Sequence, residues 1–413
     1  MRSALLNPGM VFPIVDDVSD EAVETVHQER VAQAVSVHVT DTFDAAREAW
    51  LALEATGLFT AYQRYEWISS WHRHVGAASG VEPRIVTVEK DGRPVLVLPF
   101  GLTRGQLGTI IRFLGGTHAN YNLGLFDRDF MAEIDATTLF DILKRVGAAD
   151  DQIDLIHLCN QPHVWQGQRN PFSLLPNHPA ANNAFATTLM PDFDALLKER
   201  RGSRGRKKLR WQKNALKDVG GYRFIRATTV AEASRILDAF CAQKAERFDA
   251  QGIHNAFANK GVDAFLTELI AHSIDSDTPA IELYGLEIDG KLRATYAGGV
   301  ADGRFSGFFN SIATDEYTRV SPGELLLTEI IRTCCERGLT AFDLGIGEAR
   351  YKLAWCDQRE TLFETLFPIS MRGRIDAGLL TAKLAAKRTV KQNPKLMGFA
   401  AATRRTLHHC SIL

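Results

Sequence analysis

Two short stretches in the second half of the chain combine residues that could meet a ligand. In the first, Ser321-Pro322-Gly323-Glu324 stands directly before the apolar run Leu325, Leu326, Leu327, Ile330 and Ile331. Ser at the N-cap, Pro at the first helical position and Glu three residues after the Ser predict a helix closed by a capping box. A helix start also offers free N–H groups and a positive dipole end, and with Arg319 upstream it could hold a phosphate. A plain, well-capped helix is the alternative. In the second stretch, Phe342-Asp343-Leu344-Gly345-Ile346-Gly347 leads to Tyr351-Lys352. A strand that ends on Asp and turns through two glycines is a place where backbone and charge approach a ligand. Asp343 could equally cap the turn, and Lys352 could pair with a surface carboxylate.

Several chemistries lack their residues. The glycine spacing is not G-x-G-x-x-G, and no G-x-x-x-x-G-K-[ST], G-x-S-x-G or H-E-x-x-H occurs. Dinucleotide binding, NTP hydrolysis, α/β-hydrolase and zincin chemistry are therefore not expected. The six cysteines (159, 241, 334, 335, 356 and 410) contain no C-x-x-C pair, which favours free thiols in a reducing compartment. His157, Cys159 and His163, or His408, His409 and Cys410, lack paired ligands at finger spacing, so no metal is expected. The N-terminal stretch has no signal-peptide apolar core and no window is apolar enough to span a membrane. A cytoplasmic protein is expected.

The elements that position these residues read as α/β. The hairpin around Asp91-Gly92 joins strands Arg84–Glu89 and Pro94–Leu102, and a second around Asp289-Gly290 joins Ile281–Ile288 and Leu292–Val300. Glu89, Asp91, Gly92 and Arg93 become Glu287, Asp289, Gly290 and Lys291, each 198 residues later. The flanking elements match in order, which predicts two tandem copies of one α/β unit. The expected division is an acidic arm (1–34), a first domain (35–197), a second domain (198–370) and a tail (371–413). Residues 161–183, rich in Pro, Asn and His, are expected to form a loop.

The chain has 413 residues and a formal charge of −1, which argues against a general nucleic-acid binder and against DNA as partner. That neutrality hides two basic islands. Residues 198–213 hold nine basic and one acidic side chains (+8), and residues 371–413 hold the same numbers. The first island, with Arg204, Arg206, Lys207 and Arg210, is either a solvated helix or a landing site for an anionic substrate. The tail, with Leu379, Leu380 and Leu384 among basic residues, is either a packed helix or one that meets an anionic regulator or membrane surface.

The order of these motifs carries a resemblance. The basic stretch Arg204–Lys213 before Gly220-Gly221, the strand end Phe308-Phe309-Asn310-Ser311, the Ser321-Pro322-Gly323 helix start and Phe342-Asp343-Leu344-Gly345 followed by Tyr351-Lys352 resemble the acetyltransferase domain of CelD/BcsL-like, cellulose-biosynthesis-associated proteins. Leu58-Phe59-Thr60 through Glu66-Trp67 to Trp71 resembles the N-terminal half of the same family. These proteins are of the GNAT superfamily and are related to the FemABX aminoacyltransferases.

The resemblance implies tandem GNAT-like acyl-CoA N-acyltransferase domains with a C-terminal helical tail. It implies transfer of an acyl group from acyl-CoA, a co-substrate and not a tightly bound cofactor, to an amine or hydroxyl of an exopolysaccharide or cell-envelope sugar precursor. That acceptor would be a small molecule or a lipid-linked sugar. The donor's pyrophosphate would meet Arg319, Ser321, Gly323 and Glu324, although the loop has one Gly where the family pattern [QR]-x-x-G-x-[GA] has more. Lys352 and Tyr351 would be catalytic, with Asp343 as orienting group or base and backbone N–H groups near Asn310 at the oxyanion. The FemABX relationship leaves aminoacyl-tRNA open as donor, and a non-catalytic binding module is the third reading. A peripheral place on the inner membrane face stays open through the tail.

Overall fold

The computed structural model describes residues 35–105 and 108–393. The acidic arm and the tail beyond residue 393, including His408, His409 and Cys410, lie outside the described residues. The first half runs β1 (Ser36–Thr40), α1 (Phe43–Thr56), α2 (Tyr65–Trp71), β2 (Glu82–Lys90), β3 (Arg93–Gly105), β4 (Gly108–Phe113), α3 (Ala136–Ala148) and β5 (Leu155–Pro162). Then come β6 (Asn177–Thr188) and the long helix α4 (Phe193–Asn214). The same order returns as β7 (Arg223–Arg226), α5 (Val230–Gln251), α6 (Val262–Ile274), β8 (Glu282–Ile288), β9 (Lys291–Ala301), β10 (Arg304–Ile312), α7 (Pro322–Glu336) and β11 (Ala341–Ile346). A short helix α8 (Arg350–Leu353), β12 (Gln358–Pro368) and α9 (Met371–Gln392) follow.

The repeat extends to backbone detail. Asp91 and Gly92 have φ of 52° and 71°, and Asp289 and Gly290 have 50° and 70°, the paired positive values of a type I′ turn. Each hairpin carries a bulge at the same place, between Val88 and Glu89 and between Leu286 and Glu287, again 198 residues apart. A bulge is costly to keep by chance, so its repetition is stronger testimony to duplication than the turn residues themselves.

Both halves share one sheet of 13 strands, ordered β1-β2-β3-β4-β5-β12-β6-β11-β10-β9-β8-β7, with Leu125–Phe126 pairing beside β3. The order reads as a palindrome of equivalent strands. At its centre the halves exchange strands: β6 of the first pairs antiparallel with β11 of the second, and β12 of the second with β5 of the first. Position 197/198, expected to divide the domains, falls inside α4. Its Leu196 and Leu197 are buried with α7, so the basic segment belongs to the packing of the second half. The helices α5 and α6 of the second half share a core with α1 and α2 of the first. Strand exchange and a shared core predict one cooperative transition: Trp fluorescence and far-UV circular dichroism should give coincident urea curves. Two separated transitions would contradict the exchange.

The expected loop at 161–183 is instead partly sheet. Asn177–Asn183 opens β6 and pairs with Thr365–Thr361 of β12. Its Asn, His and Pro residues suggested a loop because they have low strand propensity, but a partner strand far along the chain supplies the ladder. Polar side chains fit there because this part of β6 is only half-buried, beneath α9, where Lys391 Nζ donates to Asn182 Oδ1 at 2.5 Å.

Candidate active site

Parallel strands β10 and β11 pair at only three positions, Arg304↔Ala341, Phe305↔Phe342 and Ser306↔Asp343. Beyond them the strands part, and two features mark the place. β10 carries a bulge at Phe308, between the pairs Gly298↔Gly307 and Ala297↔Phe309 of β9 and β10. β11 turns through Gly345 and Gly347, with φ of 74° and 89°. The equivalent first-half strands β3 and β4 pair without interruption. The first-half strands β4 and β5 also pair at only two positions, Ile110↔Leu155 and Ile111↔Ile156. The parting is therefore common to both halves, and the bulge at Phe308 is particular to the second, where the edge of β10 beyond Ser306 has no β11 partner.

A cavity of about 400 Å³ lies at that open end. Asn310, Ser311, Ile312 and Ala313 of β10, Ser321–Glu324 at the start of α7, Thr295 and Tyr296 of β9, Arg247 of α5 and Tyr351 of α8 line it. Of the residues singled out in the sequence, it brings together Asn310, Ser321, Gly323, Glu324 and Tyr351. Arg319 is exposed just outside it, and Asp343 and Lys352 lie behind it.

The expected capping box is absent from the start of α7. Ser321 is left-handed (φ 53°, ψ 64°) and its side chain makes no cap bond; its carbonyl instead receives the N–H groups of Glu324 and Leu325. Pro322 disfavours the right-handed helical region for Ser321, but that effect alone favours extended backbone and does not explain the left-handed conformation. Glu324 turns its carboxylate to Arg201 and Lys208 of α4, a pair of cations that outcompetes a neutral N–H. Desolvation pushes its carboxyl up, and hydrogen bonds from Lys208 and Arg201 overcome that and hold it below the ordinary range. A true capping box forms one turn earlier, between Asp315 and Thr318. Between Arg201 and Lys208 the helical path of α4 is broken at Gly202 (φ 57°, ψ −162°). Arg204, Arg206, Lys207 and Arg210 are left exposed on α4, outside the cavity.

Asp343 is the centre of a buried network. It is fully buried, accepts from Tyr121 Oη at 2.9 Å and from its own turn at Gly345 N at 2.6 Å, and pairs with Arg304 at 2.9 Å. Arg304 also grips both oxygens of Glu360 (2.9 and 3.0 Å) and stacks on Trp165 at 4.4 Å. Burial opposes the Arg304 charge, and Asp343 and Glu360 more than restore it, raising its pKa. Tyr62 and Asn120, from the first half, close the gap between β10 and β11: Tyr62 Oη donates to Gly307 O at 3.0 Å and Asn120 Nδ2 to Tyr62 Oη at 2.7 Å.

Lys352 donates to the carbonyls of Ile346 (2.7 Å) and Gly345 (3.1 Å), tying α8 to the turning end of β11. Burial pulls its ammonium down to about 8. Tyr351, next to it, faces the cavity. Desolvation raises its phenol, partly offset by a hydrogen bond with the Asn310 side chain, so it stays protonated and able to donate.

Sequence reading missed the contribution of α5. Lys244 Nζ donates to Asn310 O at 3.1 Å, Ser311 Oγ donates to Gln243 Oε1 at 2.7 Å, and Arg247 lines the cavity. Burial, then the neighbouring Arg247, lowers Lys244 to about 8. Phe240, Gln243, Lys244 and Arg247 fall at i, i+3, i+4 and i+7, one helical face. Polar residues on a stripe begun by a core Phe were the available signal. Because Lys244 and Lys352 are depressed, the folded protein holds fewer protons than the unfolded chain between about pH 8 and 10.5, and stability gains from them as pH rises through that window. Lys352→Met should flatten the rise in urea midpoint from pH 8 to 10 relative to wild type.

The five described cysteines are free thiols, and burial pushes Cys356, beside Lys352, up to about 12, which leaves no activated nucleophile there. His157 bonds to Glu364 at 2.8 Å and His163 stacks on Phe363, so neither converges with Cys159. Among the described residues no group of three His, Cys, Asp or Glu could hold a metal ion. Among them, too, no helix is long and apolar enough to cross a membrane.

Parallel strands that part beside a helix start define the class of site. Residues 203–353 match the family model of the acetyltransferase (GNAT) domain. Among solved structures, FemX is similar with a TM-score of 0.57 at 12% identity, over 84% of this chain and 100% of that one. A conserved protein of unknown function from Bacteroides thetaiotaomicron VPI-5482 is similar with a TM-score of 0.50 at 10% identity, over 80% and 99%. At such identities the likeness is one of fold. No curated protein matches the chain in sequence.

Proposed function

We propose that the chain transfers an acyl group from acyl-CoA to an amine or hydroxyl of an exopolysaccharide or cell-envelope sugar precursor, free or lipid-linked. The cavity at the parted ends of β10 and β11 carries this reading, because it offers an open strand edge, a helix start and a proton donor together. A donor's amide carbonyl can accept from a β10 N–H beyond Ser306, where the Gly307 and Asn310 carbonyls are already held by Tyr62 and Lys244. Its phosphates fit the rim, where Arg201 and Lys208 outnumber the charge of Glu324 and Arg247 adds a third cation. Arg319 stands outside as a fourth.

The acceptor attacks the thioester carbonyl carbon, and the carbonyl electrons move to oxygen. N–H groups of β10 beyond the bulge stabilise that oxyanion. Water takes the acceptor's proton. As the C–S bond breaks, Tyr351 Oη donates its proton to the departing thiolate and regains one from solvent. In this reading Lys352 positions Tyr351 by fixing α8 to β11, and Asp343 supports the parted strands. Thiol release from acetyl-CoA, dependent on an amine- or hydroxyl-bearing sugar, tests the reading.

A FemABX-type reaction with aminoacyl-tRNA is the second reading, favoured by the exposed Arg204, Arg206, Lys207 and Arg210 beside the cavity. Thiol release absent with every acceptor, alongside tRNA binding that falls steeply with salt, would transfer the proposal to it. Neither activity would leave a GNAT-like binding module.

A further inference from the structure

Helix α9 turns an apolar ridge away from the protein. Gly373, Asp376 and Leu380 are its buried positions, and Leu380 packs with Ile110 of β4 and Leu155 of β5. On the opposite side Met371, Ile375 and Leu379 are 70%, 66% and 54% exposed, each one turn from the next. Exposed Ala382 and Ala386 continue the line. Of the three leucines singled out in the sequence, Leu380 is buried and Leu384 half-buried on the side toward the protein, and Leu379 alone faces out. A solvent-facing ridge of three large apolar side chains is the wrong way round for a helix whose role is only to cover a sheet.

Charge decides what covers the ridge. The helix holds six basic residues and one acidic residue, and the acidic one, Asp376, is buried. At about 100° per residue, Arg372 and Lys383 border the ridge on one side and Arg374 on the other. All three are exposed, as is Lys387. A second copy docking here would bring two such cationic faces together. An apolar strip bordered by cations fits an anionic bilayer surface, where the strip enters the acyl boundary and the cations meet phosphates. The N-terminus of the helix is anchored independently of the ridge: Ser370 Oγ accepts from Gly373 N at 3.0 Å and donates to Asp154 Oδ1 at 2.6 Å.

We infer that α9 is a membrane-interface helix that lays the protein on an anionic phospholipid surface through Met371, Ile375 and Leu379. The inference is independent of the transfer reaction. It would bring the cavity to lipid-borne acceptors without a membrane span.

Sedimentation of the full chain with phosphatidylcholine vesicles, with and without phosphatidylglycerol, is the test. Binding is expected only with phosphatidylglycerol, and should weaken at least about tenfold when salt is raised to about 0.5 M. The double variant Ile375→Glu, Leu379→Glu should lose at least about tenfold in partition, because it removes apolar insertion and adds like charge to the lipid. Both positions are exposed, so its urea midpoint should match wild type and show that the loss is not unfolding. Three results overturn the inference. One is no binding to phosphatidylglycerol vesicles at low salt; another is equal partition of variant and wild type. The third is a lipid-free dimer in sedimentation velocity that the double variant abolishes, which would assign the ridge to a second copy.

Discussion

Arg304→Met is expected to lower folding stability by about 3–5 kcal/mol, the usual cost of removing one partner from a buried ion pair. The side chain of Arg304 is 4% exposed and that of Asp343 fully buried, so water cannot take over the lost partner. Asp343 would keep Tyr121 and the Gly345 N–H, which partly satisfy it but bring no charge. Glu360 would lose both of its bonds to Arg304. Urea unfolding measures the loss directly. The double variant Arg304→Met, Asp343→Leu should be more stable than the sum of its single changes, because no uncompensated charge remains at position 343. A loss for Arg304→Met below about 1 kcal/mol would show that this network does not hold the strands where they part. The same experiment separates the two roles open to Asp343. If Asp343 is support, activity in Asp343→Asn should follow the folded fraction, with no separate kinetic defect.

Tyr351→Phe carries the largest kinetic prediction. It removes one oxygen from the cavity wall and leaves the ring, so donor binding should change less than about threefold. Loss of a positioned proton donor to the leaving thiolate should lower kcat by about a hundredfold. The phenol is raised above its ordinary value, so wild-type activity should persist into alkaline solution until that group ionises. Lys352→Met should lower kcat less than Tyr351→Phe does. A Lys352→Met defect larger than that of Tyr351→Phe would make Lys352 the catalytic residue that the FemABX resemblance implied.

Local elements were legible in the sequence because local forces set them. The I′ hairpins at Asp91-Gly92 and Asp289-Gly290, and the amphipathic spacing of α3 and α7, needed no distant partner. The duplication was readable from four residues of a turn only together with the matched order of the flanking elements. The exchange of β6 and β12 was not, since strand pairing across the chain leaves no mark on either strand's own residues, and polar Asn177–Asn183 disguised one of them. The cavity was half legible. Asn310, Ser321, Gly323, Glu324 and Tyr351 were recognisable as motif residues, but Glu324 was assigned to a cap. Its true partners, Arg201 and Lys208, lie 123 and 116 residues away in the chain, beyond the reach of any local pattern. Tyr62, Asn120 and Tyr121 act across the junction of the halves, at a distance no periodicity records.

The neutral total charge likewise concealed its own content. The first basic island is partly spent on Glu324 and Glu329 inside the fold, where Lys213 meets Glu329 at 3.0 Å. In the described part of the second, Arg372, Arg374, Lys383 and Lys387 are exposed on α9, beside the apolar ridge or near it.

The central claim is that the cavity between β10, α7 and Tyr351 is the acyl-donor site. Isothermal titration of acetyl-CoA into wild type and Ala313→Trp tests it most directly. Ala313 lines the cavity and is partly exposed, so an indole there fills the space without disturbing the core. Wild type should bind at one site with a Kd in the range of about 1 μM to 1 mM. Ala313→Trp should give no binding heat at an unchanged urea midpoint. No heat from wild type at millimolar donor, or equal heats from both proteins, would contradict the account.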